Sequence, residues 1–213
     1  MNKKEIEVLS KIYNDPEFQH MRRENRKRQH KIIASYLKNG KSLDVGFAGA
    51  PNQFLKNAVG IDLVKISKPE NYSEVITYDV NNGLPFPEES FNNIIASEFV
   101  EHIENPSFFV RECFRILKPN GRLIITLPNS LYFRRILKGY MCGLDLSTNA
   151  DHISELTSNS IINILNKNKF RIIEVRGIHF EIPILARWFS FARDTPCKNP
   201  ILSKSVVYVA DKK

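Results

Sequence analysis

At 213 residues the chain is long enough to bury one full core, and 42% hydrophobic with 25% charged residues is ordinary for a globular protein. No apolar run approaches the roughly 20 residues that a membrane span needs, and "MNKKEIEVLSKIYNDPEF" lacks the apolar stretch of a secretory signal. The net charge of +8 is unevenly spread: residues 1–41 carry 11 Lys and Arg against 5 Asp and Glu, and 128–213 carry 13 against 7, whereas 42–127 carry 7 against 11. An acidic centre with basic flanks is narrower than the uniformly basic surface of a nucleic-acid binder. Cys113, Cys142 and Cys197 are odd in number and form no CxxC, which argues against zinc and for a reduced, cytoplasmic setting.

In chain order, Asp15-Pro16-Glu17 is a helix start: Asp caps, Pro fits the first turn, and Glu suits the positive end of the dipole. Phe18, Met21, Ile32, Ile33, Tyr36 and Leu37 extend this helix to a stop at Asn39-Gly40. Its middle, "RRENRKRQHK", is almost wholly polar and is expected to face solvent or a ligand. Beyond Gly40 short apolar runs alternate with helical or loop segments. "SLDVG", "NAVGIDL", "SEVITYDV", "FNNIIAS" and "GRLIITLP" read as five strands, followed by "FRIIEVRGI" and "KSVVYVA". Asn105-Pro106 opens a helix ahead of strand five, and "SNSIINILNKNK" forms another before strand six. This alternation predicts an α/β fold: a Rossmann-like, seven-stranded, mostly parallel sheet with the last strand antiparallel and helices on both faces. Residues 1–41 are read as a helical cap on a domain of residues 42–213, with insertions 128–157 and 179–202 capping the substrate.

The stretch "SLDVGFAGAPNQF" leaves strand one through a glycine-containing turn that is expected to lead into a helix. A dinucleotide fingerprint would need glycine at 46, 48 and 51, where the chain has Gly46, Ala48 and Pro51, and no GK[ST] follows. What remains is Asp44-x-Gly46-x-x-Gly49, a turn open to a ligand that brings no phosphate. Asp62 ends strand two, where a carboxylate can accept both hydroxyls of a ribose. Asp79 ends strand three and can accept from an adenine amine. Three acids at successive strand ends repel a polyphosphate and attract a sulfonium cation carrying a nucleoside.

The segments "LDVGFAGAPNQFL", "GIDL", "YDVNNGLPFPEESFNNIIASEFVEHIENP" and "RECFRILKPNGRLIITLPN" together resemble class I S-adenosylmethionine-dependent methyltransferases. The similarity is to the type 11-like branch acting on small molecules and glycans. Family members usually carry D-x-G-C/A-x-G-x-G in the first loop; this loop departs from that pattern, at Phe47 among others, and keeps Gly46 and Gly49. The resemblance implies S-adenosyl-L-methionine as cofactor. It places Asp44, Gly46 and Gly49 along the methionine end, Asp62 on the ribose, Asp79 with Val80 at the adenine, and Ser97 on the sulfonium side. Phe47, Ala48 and Leu63 complete the cofactor-binding set.

Glu98, Glu101 and His102 in "SEFVEHI" have i, i+3, i+4 spacing and would share one face of a helical turn. His102 is the candidate general base, its ordinary pKa near 6.5 suiting proton abstraction at neutral pH. Two other readings stay open. The same E-x-x-E-H binds a divalent metal in some quinone-biosynthesis O-methyltransferases of this family, or the residues merely shape the helix entry. His152 could reach the acceptor, Tyr132, Arg134 and Arg135 could meet an anionic group, and "ILARWFSFAR" at 184–193 could lie on a membrane surface or act as a lid.

The expected function is methyl transfer to a small-molecule or glycan acceptor, at oxygen, with an anionic acceptor drawn to a stripe of Arg22, Arg23, Arg26, Lys27 and Arg28. A nucleic-acid methyltransferase is the first rival, although "ASEFVEH" lacks the [DNS]-P-P-[YF] of base-amino methylation. A cofactor-binding protein without catalysis is the second.

Overall fold

The computed structural model describes residues 3–129, 132, 140, 156–180 and 195–213. Two helices come first, α1 (Lys3–Tyr13) and α2 (Pro16–Ser35), followed by strands β1 (Ser42–Val45), β2 (Ala58–Asp62), β3 (Tyr72–Thr77) and β4 (Phe91–Ser97). Helix α3 (Pro106–Ile116), β5 (Leu117–Pro128), α4 (Ser158–Lys167), β6 (Phe170–Phe180), the two-residue β7 (Thr195–Pro196) and β8 (Ser205–Lys212) complete the order. One sheet runs β3-β2-β1-β4-β5-β8-β6-β7. Strands β1 to β5 pair in parallel, and β8 inserts antiparallel between β5 and β6. All seven expected strands form, and the long antiparallel strand is the last one. The short β7 is an addition at the edge beside β6.

Successive side chains of each strand feed opposite faces. Ile94, Leu123, Ile125, Val206 and Tyr208 join one core cluster with Phe109 and Val110 of α3 and Ile161 and Leu165 of α4. Ile95, Ile124, Val207 and Val209 join a second cluster with Ile33 of α2, Phe47 and Tyr72. The expected helix after the first loop does not form: residues 46–57 are turns and irregular backbone. A parallel sheet needs cover on both faces, and here α1 and α2 supply it, with Leu9, Tyr13, Ile32, Tyr36 and Leu37 packed on the second cluster.

Helix α2 starts as its sequence indicates, with Pro16 in the first turn and Asp15 Oδ1 accepting from Phe18 N at 2.8 Å. It ends at Ser35, earlier than Asn39. Its C-terminal side is fixed by charge: Arg122 makes a two-pronged contact with Asp211 at 2.7 and 3.0 Å and donates to Tyr36 O at 2.9 Å. Lys38 Nζ reaches the same carboxylate at 2.9 Å. Two donors outweigh the burial of Asp211 and hold its carboxyl below the usual carboxylate range. Among the described residues, no helix is long and apolar enough to cross a membrane.

Candidate functional site

Strand order reverses around β1 and β4: the chain runs outward to β2 and β3 on one side and to β5 on the other. Ligand crevices of open α/β sheets form at the carboxyl ends of the strands flanking such a switch. Every cofactor residue expected from the sequence lies at the end of β1, β2, β3 or β4 or in the turn that follows.

At the end of β1, Gly46 adopts φ +70 and its N–H donates to Ile61 O at 2.9 Å. A Cβ on Gly46 would lie 2.0 Å from the Phe99 ring, so only glycine fits between β1 and the turn after β4. Asp44 points to the α2 face, 3% exposed, where its Oδ2 accepts from the Tyr72 hydroxyl. Burial pushes its carboxyl up to about 7, against the lowering effect of Tyr72 and of the Asn52 backbone. Phe47 turns its ring inward and stacks on Tyr72 with centroids 5.0 Å apart. The missing side chain of Gly60 on β2 makes room for that ring, since a Cβ there would sit 2.6 Å from it. Sequence reasoning missed Tyr72. The signal was present as an aromatic at the start of β3, but only sheet register shows that it meets Asp44.

Asp62 clamps the loop from β2: Oδ2 accepts from Ala48 N at 2.9 Å and Oδ1 from Val64 N at 2.8 Å. The Leu63 backbone also donates to this carboxylate. Burial raises its pKa while these backbone donors lower it. Leu63, next in the chain, is partly buried. Asp79 caps a short 3-10 turn, Val80–Asn82, by accepting from Asn81 N at 3.0 Å, and Val80 is buried beneath it.

At the end of β4, Ser97 Oγ lies 3.1 Å from Thr126 Oγ1 on β5. Glu98 takes the left-handed φ of +50, an uncommon conformation for a residue with a side chain and one that clusters at functional sites. The following turn is not an α-helix. Val100–His102 is 3-10, so Glu98, Glu101 and His102 do not share a helical face as their spacing predicted. Glu101 is 3% exposed, and its Oε2 has no hydrogen-bond partner. Burial and then the charge of Glu98 push its carboxyl up to about 8, against the lowering effect of its own backbone and of Arg26. His102 is partly buried at the end of this turn. Among the described residues, no three His, Cys, Asp or Glu side chains gather as a metal site.

Helix α2 lies over the glycine turn. Gln19 Nε2 donates to Ala48 O at 2.8 Å, Arg22 Nε to Gly49 O at 3.4 Å, and the Tyr13 ring lies beside Gly49. At the other end, Gln29 Nε2 reaches Thr126 Oγ1 at 2.6 Å, Ser97 Oγ at 3.0 Å and Glu98 Oε1 at 3.3 Å. The polar middle of α2 therefore presents one side to the strand ends, where it was expected to meet solvent or a ligand. Tyr132 is buried, 4% exposed. His152, Arg134, Arg135 and the 184–193 segment fall outside the described residues.

Residues 43–125 match the model of a methyltransferase domain family. A probable S-adenosylmethionine-dependent methyltransferase of Mycolicibacterium smegmatis is 24% identical over 127 residues, covering 58% of this chain and 47% of that one. The chain thus spans about half of that relative, and an alignment at 30% identity covers 32% of the length of one from Mycobacterium tuberculosis. A ubiquinone biosynthesis O-methyltransferase of Pelagibacter ubique is 27% identical, covering 85% of this chain and 90% of that one. Among solved structures, a Thermotoga maritima protein described as an S-adenosylmethionine-dependent methyltransferase and possible histamine N-methyltransferase superposes with a TM-score of 0.66. It is 16% identical, with 99% and 96% of the two chains covered, and shows the fold alone.

The cofactor these relatives imply fits the residues present. The glycine turn offers no cradle for a pyrophosphate, and acids end β1 and β2 and follow β3. Of the buried polar atoms without partners among the described residues, Gln19 Oε1, Arg23 Nε and His30 Nδ1 belong to α2, Asn52 Nδ2 and Gln53 Nε2 to the continuation of the glycine turn and Glu101 Oε2 to the turn after β4, while Arg176 Nε lies apart on β6. Unpaired buried polar groups are costly in a fold and are expected where a polar ligand completes them. Domain match, relatives and sheet order agree: residues 43–125 carry a methyltransferase domain, and the chain is similar to S-adenosylmethionine-dependent methyltransferases over most of its length.

Proposed function

We propose that the chain transfers a methyl group from S-adenosyl-L-methionine to an oxygen of a small-molecule or glycan acceptor held at the end of β4. The observation carrying this reading is the Asp44-x-Gly46-x-x-Gly49 turn clamped by Asp62 directly beside the strained turn at Glu98. The Pelagibacter relative, an O-methyltransferase by name and alike over most of both chains, supports oxygen as the nucleophile. Helices α1 and α2 are the described part of the cap; the insertions 128–157 and 179–202 expected to complete it lie largely outside the described residues.

When bound, the cofactor supplies a methyl carbon on a sulfonium, open to in-line attack. The protein's part is then positioning and one deprotonation. Asp62 would hold the ribose hydroxyls while its backbone contacts keep the glycine turn in register. Asp79 and Val80 would hold the adenine, and Ser97 with Gln29 and Thr126 fixes the end of β4. His102 would take the proton of the acceptor hydroxyl, so that the oxygen can accept the methyl group the bound cofactor would supply. Calorimetry with S-adenosylhomocysteine should give saturable binding to the purified chain, and NAD should give none. Absence of the first, or tight binding of the second, refutes the proposal.

A further inference from the structure

Helix α2 has an inner face of an unusual kind. Phe18, Gln19, Arg22, Arg23, Arg26, Gln29, His30 and Ile33 recur at helical spacing among its less exposed positions, which also include Arg28, Ile32 and Ala34, whereas Glu17, His20, Met21, Glu24, Asn25 and Lys27 are exposed. A helix that covers a sheet normally buries an apolar stripe. This one buries apolar residues only near its ends and presents three guanidinium groups between them.

The ends of that face are pinned. Gln19 holds the glycine turn through Ala48 O, and Gln29 holds the ends of β4 and β5 through Ser97 and Thr126. Arg26 stands three residues before Gln29, about 4.5 Å along the axis at 1.5 Å per residue. It therefore stands over the end of β4, close enough for its charge to act on Glu101. Arg22 continues the row to Gly49, and Arg23 lies where its charge reaches Tyr72 and His30.

Glu98 acts on Arg22 and Glu101 feels Arg26, but neither carboxylate closes an ion pair with them. Among the described residues none of the three makes an ion pair, while Lys27 on the outer face pairs with Glu24 at 3.0 Å. Arg23 Nε is buried without a partner. Burial and then Arg26 lower the pKa of Arg22, and burial, Arg26 and Arg23 hold His30 neutral with a pKa of about 3. Half-buried like charges held this close are unfavourable unless an anion joins them.

We propose that Arg23 and Arg26, with Arg22 beside the glycine turn, form a subsite that clamps an anionic oxygen group, carboxylate or phosphate, of the methyl acceptor. Guanidinium forks suit both groups through paired hydrogen bonds. The placement makes this a contact clamp at the β4 end and not a stripe that steers ligands from solvent. The inference rests on the methyl-transfer reading, which puts the acceptor at that end.

The test uses the full chain saturated with S-adenosylhomocysteine and inorganic pyrophosphate as the probe, followed by calorimetry. The wild type should bind pyrophosphate saturably. Arg23→Gln/Arg26→Gln should weaken that binding about ten-fold or more, with S-adenosylhomocysteine affinity held within about three-fold. Arg22 is left intact because it also holds Gly49 O. If circular dichroism shows that the double variant has lost helix, Arg26→Gln alone carries the test with the same expected direction. Three results overturn the proposal: no saturable pyrophosphate binding, equal binding by variant and wild type, or loss of S-adenosylhomocysteine affinity with pyrophosphate binding kept. The last would give the arginines to the carboxylate of the cofactor. Failure of the wild type to bind S-adenosylhomocysteine refutes the methyl-transfer reading instead, and pyrophosphate titrated into the unliganded chain then still decides whether the anion subsite exists.

Discussion

Replacing Glu101 with Gln should stabilise the protein, and the gain should depend on pH in a defined sense. Glu101 is 3% exposed, faces the charge of Glu98 and leaves Oε2 unpartnered, so its carboxyl rises from 4.5 to about 8 on folding. Because the folded value lies above the unfolded one, the folded chain binds the extra proton. Stability from this group is complete below pH 4.5 and is lost as pH rises toward 8. At about 1.4 kcal/mol per pH unit, the wild type gives up about 3 kcal/mol between pH 4.5 and pH 7 at this residue. Gln does not titrate and presents no charge to Glu98. Relative to wild type, Glu101→Gln should therefore be near neutral at pH 4.5 and more stable by up to about 3 kcal/mol at pH 7. Urea unfolding followed by circular dichroism at pH 4.5, 6, 7 and 8, read as midpoint at constant slope, measures the difference directly. A difference that stays constant across pH, or one that grows toward acid, refutes the reasoning. A carboxyl kept at such a cost beside the end of β4 is the kind of strain that functional sites retain.

Gly60→Ala should destabilise by about 1–3 kcal/mol through overpacking against the Phe47 ring, with Phe47→Leu in the same chain recovering part of the loss in thermal unfolding. An unchanged melting temperature for Gly60→Ala would mean that the ring yields without cost. Asp62→Ala should weaken S-adenosylhomocysteine binding by about 2–3 kcal/mol, and unchanged calorimetry would remove Asp62 from the ribose. His102→Ala should retain cofactor affinity while turnover falls about 10²–10⁴-fold. Activity of the wild type should survive EDTA; loss on chelation with recovery on adding Mg²⁺ would overturn the metal-independent role of His102.

Much of the architecture was legible because its signals are local. Short apolar runs of strand length, the Asp15-Pro16 and Asn105-Pro106 caps, and the glycine turn after "SLDV" each depend on a few neighbouring residues. They specify strands, helix starts and a tight turn wherever the rest of the chain lies. The eleven residues of α1 were not anticipated as a separate helix, since their contacts with Gly49, Lys65 and the second core cluster come from far along the chain. The helix expected after β1 fails for a related reason: Pro51 and the anchoring of Asn52 N on the Tyr72 hydroxyl at 3.0 Å hold that segment as turns.

The candidate site divides along the same line. The residues by themselves determined which chemistry was on offer: acids after successive strands, glycines where a pyrophosphate fingerprint fails, and a Glu-Glu-His cluster after β4. Only the tertiary structure decided how these groups are used, because burial and register exist only in three dimensions. Register set Tyr72 against Asp44, and the left-handed backbone at Glu98 broke the helical face that spacing had implied. Packing of α2 across the strand ends turned "RRENRKRQHK" from a polar run into the wall of the site. That wall could not be read from the chain, since the partners of Gln29, Ser97 and Thr126, lie 68 and 97 residues away.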